Sequence, residues 1–155
     1  MKRTSNVISK TEALMRLQNL CSRIEKSEFD IRNRLIEWGL EKEAATIISQ
    51  LKKDDFLNPV RYAQAFTHDK ITMNKWGKNK VRYQLRGHQI PEEIIERTLS
   101  EYDEGTYRDM IFAELRKKRR SIKDKNHYKI KAKLYAFGNQ RGYESSIINE
   151  YLAGE

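Results

Sequence analysis

A register that returns three times constrains this chain more than any other feature. Leu40, Ile90 and Tyr143 each stand where the second helix of a unit should end. Five residues upstream lie Leu35, Leu85 and Gly138, and nine upstream lie Ile31, Val81 and Leu134. The registers are 50 and then 53 residues apart, each followed by polar or acidic residues and a third apolar helix. Units that recur at a constant period bury their apolar faces on one another as a stacked array. The pattern predicts an all-α chain of three tandem three-helix repeats, with repeat one over 9–54, repeat two over 55–103 and repeat three over 104–155. Gly138, where the other registers carry leucine, is the poorest match.

Helix punctuation supports the same reading. Ser9 to Glu12 reads as a capping box that opens a stripe of Ala13, Leu14, Leu17, Cys21 and Ile24. Ser27 caps a second helix burying Ile31, Leu35 and Trp38, with Gly39 as its left-handed stop. Glu41 and Glu43 fall in the first turn of a third helix, where carboxylates suit the positive end of the dipole. Asn58-Pro59 opens a helix whose apolar face begins with Val60, Ala63 and Phe66, and which breaks near Trp76-Gly77. Pro91-Glu92-Glu93 opens the next, burying Ile94, Ile95, Leu99 and Tyr102, and the last third carries three more apolar stripes. About nine helices result, with no strand; 7 glycines and 2 prolines in 155 residues also disfavour a turn-rich β protein.

Charge is concentrated. The chain holds 31 Lys and Arg against 22 acids, a net +9. Residues 116–133 contain ten of those cations and one acid, Asp124, so this stretch alone is +9 and the rest of the chain balances. A cationic stretch on a neutral body fits a polyanionic or acidic partner; the bland alternative is a solvated lysine-rich face. The candidate binding residues are Arg116, Lys117, Lys118, Arg119, Arg120, Lys123, Lys129, Lys131 and Lys133, joined by Lys78, Lys80, Arg82 and Arg86 of the second helix of repeat two. Stacked repeats would set these out as a broken stripe along one side.

No convergent catalytic site is legible, and the chain is read as a non-enzyme with no cofactor and no metal. His68, His88 and His127 are about twenty and then about forty residues apart and lack zinc-ligand spacing. The glycines are scattered and form no phosphate loop. Cys21 lies on an apolar stripe and reads as packing. Trp38 reads as core; Trp76, between Lys75 and Lys78 beside Gly77, is either a base-stacking platform or the packing of a helix elbow. The opening MKRTSNVISK lacks the apolar stretch of a secretory signal, no run is long enough for a membrane span, and one cysteine suits a reducing cytosol, so a cytoplasmic protein is expected. A ladder of apolar faces capped by polar ends argues for a monomer.

With Arg61-Tyr62-Ala63 near its start, Gly77 and Lys80-Val81-Arg82 in its middle and Ile90-Pro91 at its close, the middle repeat resembles the RecX family of regulatory proteins. Arg61-Tyr62-Ala63, Gly77, Lys80-Val81, Arg82 and Leu85 fill the places of that family's central signature, and Ile90-Pro91 those of its closing turn. Repeat one adds Ala13-Leu14, Ser27, Leu35 and Gly39-Leu40; repeat three adds Arg141-Gly142-Tyr143. Two departures stand out: Asn58-Pro59 where relatives often carry acids, and Gln89 where a glycine is usual before Ile90. The resemblance, which covers roughly residues 9 to 152, implies an elongated, curved body that binds in the groove of the RecA nucleoprotein filament. It implies a modulator, mainly an inhibitor, of filament growth, ATP hydrolysis, strand exchange and co-protease activity in DNA repair and recombination. Its expected partners are the RecA filament and single- or double-stranded DNA. The competing reading is a general helical nucleic-acid-binding module acting directly on DNA or RNA.

Overall fold

The computed structural model describes residues 8–155; residues 1–7, most of the segment read above for a secretory signal, lie outside the described residues. Among those described there are nine α-helices and no strand. In chain order they are α1 (Lys10–Arg23), α2 (Glu28–Glu37), α3 (Ala44–Lys53), α4 (Pro59–His68), α5 (Lys78–Gly87), α6 (Glu92–Ser100), α7 (Glu104–Ser121), α8 (His127–Arg141) and α9 (Ser145–Ala153). A π-helical turn, Asp69–Met73, extends α4. None of these helices is long and apolar enough to cross a membrane.

Local chemistry sets the ends. Ser9 accepts the Glu12 N–H at 3.1 Å, which is half of the expected capping box. The reciprocal box forms instead at α2, where Ser27 accepts from Asp30 and Asp30 accepts from the Ser27 N–H. Asn58 takes the N–H groups of Val60 and Arg61, with Pro59 in the first turn of α4. Glu41 lies in a turn before α3 and Glu43 is its N-cap, so neither acid occupies the first turn as predicted. Ile24 leaves the α1 stripe and is exposed, because the helix has ended at Arg23 and Ile24 is already extended. In α4 the buried face is Tyr62, Ala63 and Thr67, rotated from the expected Val60–Ala63–Phe66, and it runs on to Ile71 through the π turn. Ile94 and Tyr102 are only partly buried beside Ile95 and Leu99.

The threefold register is present atom for atom. The Leu40 N–H donates to the Leu35 carbonyl at 2.8 Å, Ile90 to Leu85 at 3.1 Å, and Tyr143 to Gly138 at 2.9 Å. A left-handed residue precedes each: Gly39 at φ 75°, Gln89 at 59° and Gly142 at 89°. With the companion bonds Gly39 to Ile36, Gln89 to Arg86 and Gly142 to Asn139, these are three Schellman ends. Gln89, which stands where a glycine is usual, therefore makes the same turn as the two glycines. All nine register residues are buried. Gly138 is glycine for a packing reason: a Cβ there would lie 2.7 Å from the Ile148 side chain of α9.

Stacking is uneven. Helices α1–α3 enclose their own core around Leu17, Ile31, Leu35, Ile47 and Leu51. Helices α4–α9 share a second one, in which Val81, Leu85, Ile95, Ile111, Leu115 and Ile148 are continuous. The second and third units dock backbone to backbone. Gly77 donates to the Arg141 carbonyl at 2.7 Å and Asn79 to the Gly142 carbonyl at 3.0 Å, so the first turn of α5 caps the end of α8. Tyr143 Oη donates to the Lys75 carbonyl at 2.7 Å across the same seam.

The first unit meets the second through side chains. The His88 ring packs against Phe29, Tyr62 and Phe66, with Nδ1 2.9 Å from the Gln84 carbonyl and Nε2 3.4 Å from Asp30. Arg61 reaches from α4 to Glu25 at 2.8 Å and to Asp55 at 2.8 Å.

Candidate polyanion-binding surface

The cationic stretch is built on the two longest helices. Asp103 caps α7 by accepting the Thr106 N–H at 2.9 Å, and this bond holds its carboxyl below the usual range. Tyr107, Ile111 and Leu115, one turn apart, are the buried face. Beyond Leu115 the helix continues through residues 116–121, about 9 Å at 1.5 Å per residue. It needs no core contact to end there, since Lys118, Arg119 and Arg120 face the negative end of the dipole. Arg116, Lys117 and Arg120 are exposed. Lys118 and Arg119 are half-buried, Lys118 with its ammonium 5.6 Å from the Phe137 ring centre and Arg119 paired with Glu155 at 3.1 Å.

The connection to α8 contains the stretch's one acid. Asp124 accepts the Asn126 N–H at 3.0 Å and lies 3.6 Å from Lys133. The backbone bond first, and then Lys133, keeps its carboxyl below the ordinary range. Asn126 caps α8 through the Lys129 N–H at 3.2 Å. Ile130, Leu134 and Gly138 turn inward, leaving Lys129 and Lys133 exposed and Lys131 half-buried. Between the end of α7 and α8 lies an open groove of about 470 Å³, whose lining includes Lys118, Lys123, Lys133, Phe137 and Gln140. Lys123 is exposed at its edge. Three ammonium groups around one groove, with one acid in reach, form a site suited to a phosphate group.

The four α5 candidates are occupied inside the fold. Arg82 forks onto Glu96 at 2.6 and 3.3 Å, and Arg86 onto Glu92. Those hydrogen bonds lower both carboxyls and raise both guanidinium groups. Lys80 sits 4.3 Å over the Trp76 ring, and Lys78 sits 4.8 Å over Tyr107. The Tyr107 hydroxyl accepts the Lys78 N–H at 2.8 Å and donates to Glu144 at 2.5 Å, while burial pushes its phenol far above the usual value. Trp76, edge-on to Phe66, packs the elbow after the π turn and holds the Lys70 and Lys80 ammoniums. Sequence reasoning missed the Arg82–Glu96 and Arg86–Glu92 pairs, although acids at 92, 93 and 96 following cations at 82 and 86 across a tight helical turn were a usable signal.

These elements define a helical-repeat protein with one strongly cationic end. Residues 60–99 match the family description "RecX, second three-helix domain", and residues 106–152 match "RecX, third three-helix domain". The regulatory protein RecX of Clostridium botulinum (strain Alaska E43 / Type E3) is 33% identical over 130 residues, covering 82% of this chain and 60% of that protein. The regulatory protein RecX of Clostridium beijerinckii (strain ATCC 51743 / NCIMB 8052) is 30% identical over 152 residues, covering 94% and 70%. A crystal structure of regulatory protein RecX superposes with a TM-score of 0.84 at 20% identity, over 94% of this chain and 73% of that one, and shares its fold. The chain belongs to the RecX family. It spans 60% of the length of the Clostridium botulinum relative.

Proposed function

We propose that this chain regulates the recombinase RecA by binding its nucleoprotein filament, and that it restrains filament growth, ATP hydrolysis, strand exchange and co-protease activity. The observation that carries this reading is the set of unneutralised cations at the α7–α8 end of a RecX-family array: Arg116, Lys117, Arg120, Lys123 and Lys129 are exposed and have no ion-pair partner among the described residues. We take them as the contact to filament DNA or to acidic RecA surfaces. Lys118, Arg119, Lys131 and Lys133 support that surface from partly buried or paired positions. Lys80, Arg82 and Arg86 contribute chiefly by holding repeat two together, and Lys78 by tying it to Tyr107 of repeat three. The repeats as delimited here, 55–103 and 104–155, contain both family matches.

The test is RecA-dependent ATP hydrolysis on single-stranded DNA, with and without this protein, at a salt concentration where it no longer binds naked DNA. Salt releases phosphate contacts steeply, so inhibition that survives reports contact with the filament. Inhibition that vanishes together with DNA binding assigns the chain to the competing class of direct nucleic-acid binders. Charge reversal is best placed at Arg116, Lys117 and Arg120. Reversing Arg119 would set a carboxylate against Glu155 and confuse folding with function.

A further inference from the structure

We infer that the outward face of α8 is a single-strand reader, in which Tyr128 stacks an unpaired base while the neighbouring lysines follow the phosphates. This deepens the proposed function, on which it rests for the cationic end being a contact surface. Tyr128 is 87% exposed and has no aromatic, cation–π or hydrogen-bond partner among the described residues. Packing therefore does not explain it. Helical spacing places Tyr135 two turns further along the same face, about 10 Å away; it is 37% exposed, with its hydroxyl 3.0 Å from Ser145 Oγ. The adjoining stripe carries Lys129 and Lys133, and Lys125 and His127 are exposed beside Tyr128. A cationic track with an aromatic ring standing free on it matches the chemistry of single-strand binding, because a π-face accepts any base that has left its stack. A duplex keeps its bases stacked and offers only phosphates to the same lysines.

Tyr83 supplies an internal control. It is 73% exposed on α5, yet the cations around it, Arg82 and Arg86, are already forked onto Glu96 and Glu92. An exposed tyrosine by itself should do nothing; one beside unpaired cations such as Lys129 should bind.

The experiment is fluorescence anisotropy with a labelled oligo(dT) strand and a duplex of equal length, at low salt. Tyr128→Ala should weaken oligo(dT) binding about 5- to 150-fold, the loss expected for one aromatic–base stack, with duplex binding unchanged. Tyr128→Phe should restore single-strand binding, and Tyr83→Ala should change neither. Equal losses on strand and duplex, no loss with Tyr128→Ala, or no binding of oligo(dT) by the wild-type chain would each overturn the inference. The two readings fail separately. If Tyr128→Ala is silent while high-salt inhibition of RecA persists, base stacking falls and the regulatory function stands. If strand selectivity holds while that inhibition is absent, the reverse follows.

Discussion

Gly77→Ala tests the claim that repeats two and three are joined through their backbones. A Cβ at Gly77 would lie 2.2 Å from the Gly142 carbonyl oxygen, 2.3 Å from its carbon and 2.5 Å from the Tyr143 nitrogen. All three are main-chain atoms, so no side-chain rotation relieves the clash. The seam must open, and the bonds from Gly77 to Arg141 and from Asn79 to Gly142 lengthen with it. Overpacking of this kind costs about 1–3 kcal/mol, and two hydrogen bonds at about 0.5–1.5 kcal/mol each add a comparable amount. The expected loss is about 2–6 kcal/mol, against a total of about 5–15 kcal/mol for a typical domain. At about 2–4 °C per kcal/mol for a chain of this size, melting should fall by about 5–20 °C. Urea unfolding followed by circular dichroism measures the loss, and Gly87→Ala is the matched control. Nothing lies within 4 Å of a Cβ at Gly87, at the end of α5, so that variant should gain about 0.5–1 kcal/mol from reduced backbone freedom in the unfolded chain. If Gly77→Ala falls within about 0.5 kcal/mol of wild type, the range of a bland surface change, the docking argument is wrong.

Other consequences are equally measurable. Gln89 holds a left-handed conformation at φ 59°, so Gln89→Gly should stabilise the chain by about 1 kcal/mol in urea titration, since the strain of about 1–2 kcal/mol is partly offset by added unfolded-state entropy. Burial pushes the phenols of Tyr62 and Tyr143 from 10.0 up to about 12. The folded state thus holds these protons more tightly than the unfolded one; their contribution is complete below pH 10 and is lost as pH rises through about 12. Stability should fall in that window by about 1.4 kcal/mol per pH unit for each tyrosine, and Tyr62→Phe with Tyr143→Phe should flatten the slope. Leu35 and Leu85 are both fully buried but in different cores. Leu35→Asp should remove hydrogen-exchange protection from α1–α3 while α4–α9 stay protected, whereas Leu85→Asp should expose α4–α9, because an unpaired buried carboxylate is too costly to keep. Uniform loss of protection in Leu35→Asp would show that the two cores unfold as one.

The helices and their threefold register were legible because each depends on local chemistry: capping side chains, apolar spacing and a left-handed residue before Leu40, Ile90 and Tyr143. Errors arose where geometry is decided at a distance. The rotated face of α4 runs on through a π turn, from which Ile71 reaches the core and which no residue in Asp69–Met73 announces. The occupation of Arg82 and Arg86 needed the angle at which α6 returns along α5. The division into two cores was equally hidden, since His88, a residue with no assigned role in the sequence, turns out to fill the joint between the first two units. Within the cationic stretch, total charge was readable; which cations are free was not, because Glu155 and Asp124 engage Arg119 and Lys133 only in the folded chain.

Several of the residues that carry the family resemblance sit at the joints of the array, and the exposed cations stand apart from them. Arg61 holds the second unit to the first through Glu25, and Tyr62 backs the His88 ring that meets Phe29 and Asp30 of the first unit. Gly77 and Lys80 meet Gly142 at backbone distance, so letters from repeat two and from the Arg141-Gly142-Tyr143 ending of repeat three form a single contact. Arg82 ties α5 to α6 within its own unit. A signature made of joints specifies how units are set against one another, and hence the shape a partner meets. The bare charges at the end of α7 and on α8 touch no joint, and substituting them should alter binding while the arrangement of the repeats stays fixed. Shape and charge are thus separable in this chain, and the joint variants and the surface variants should fail in different assays.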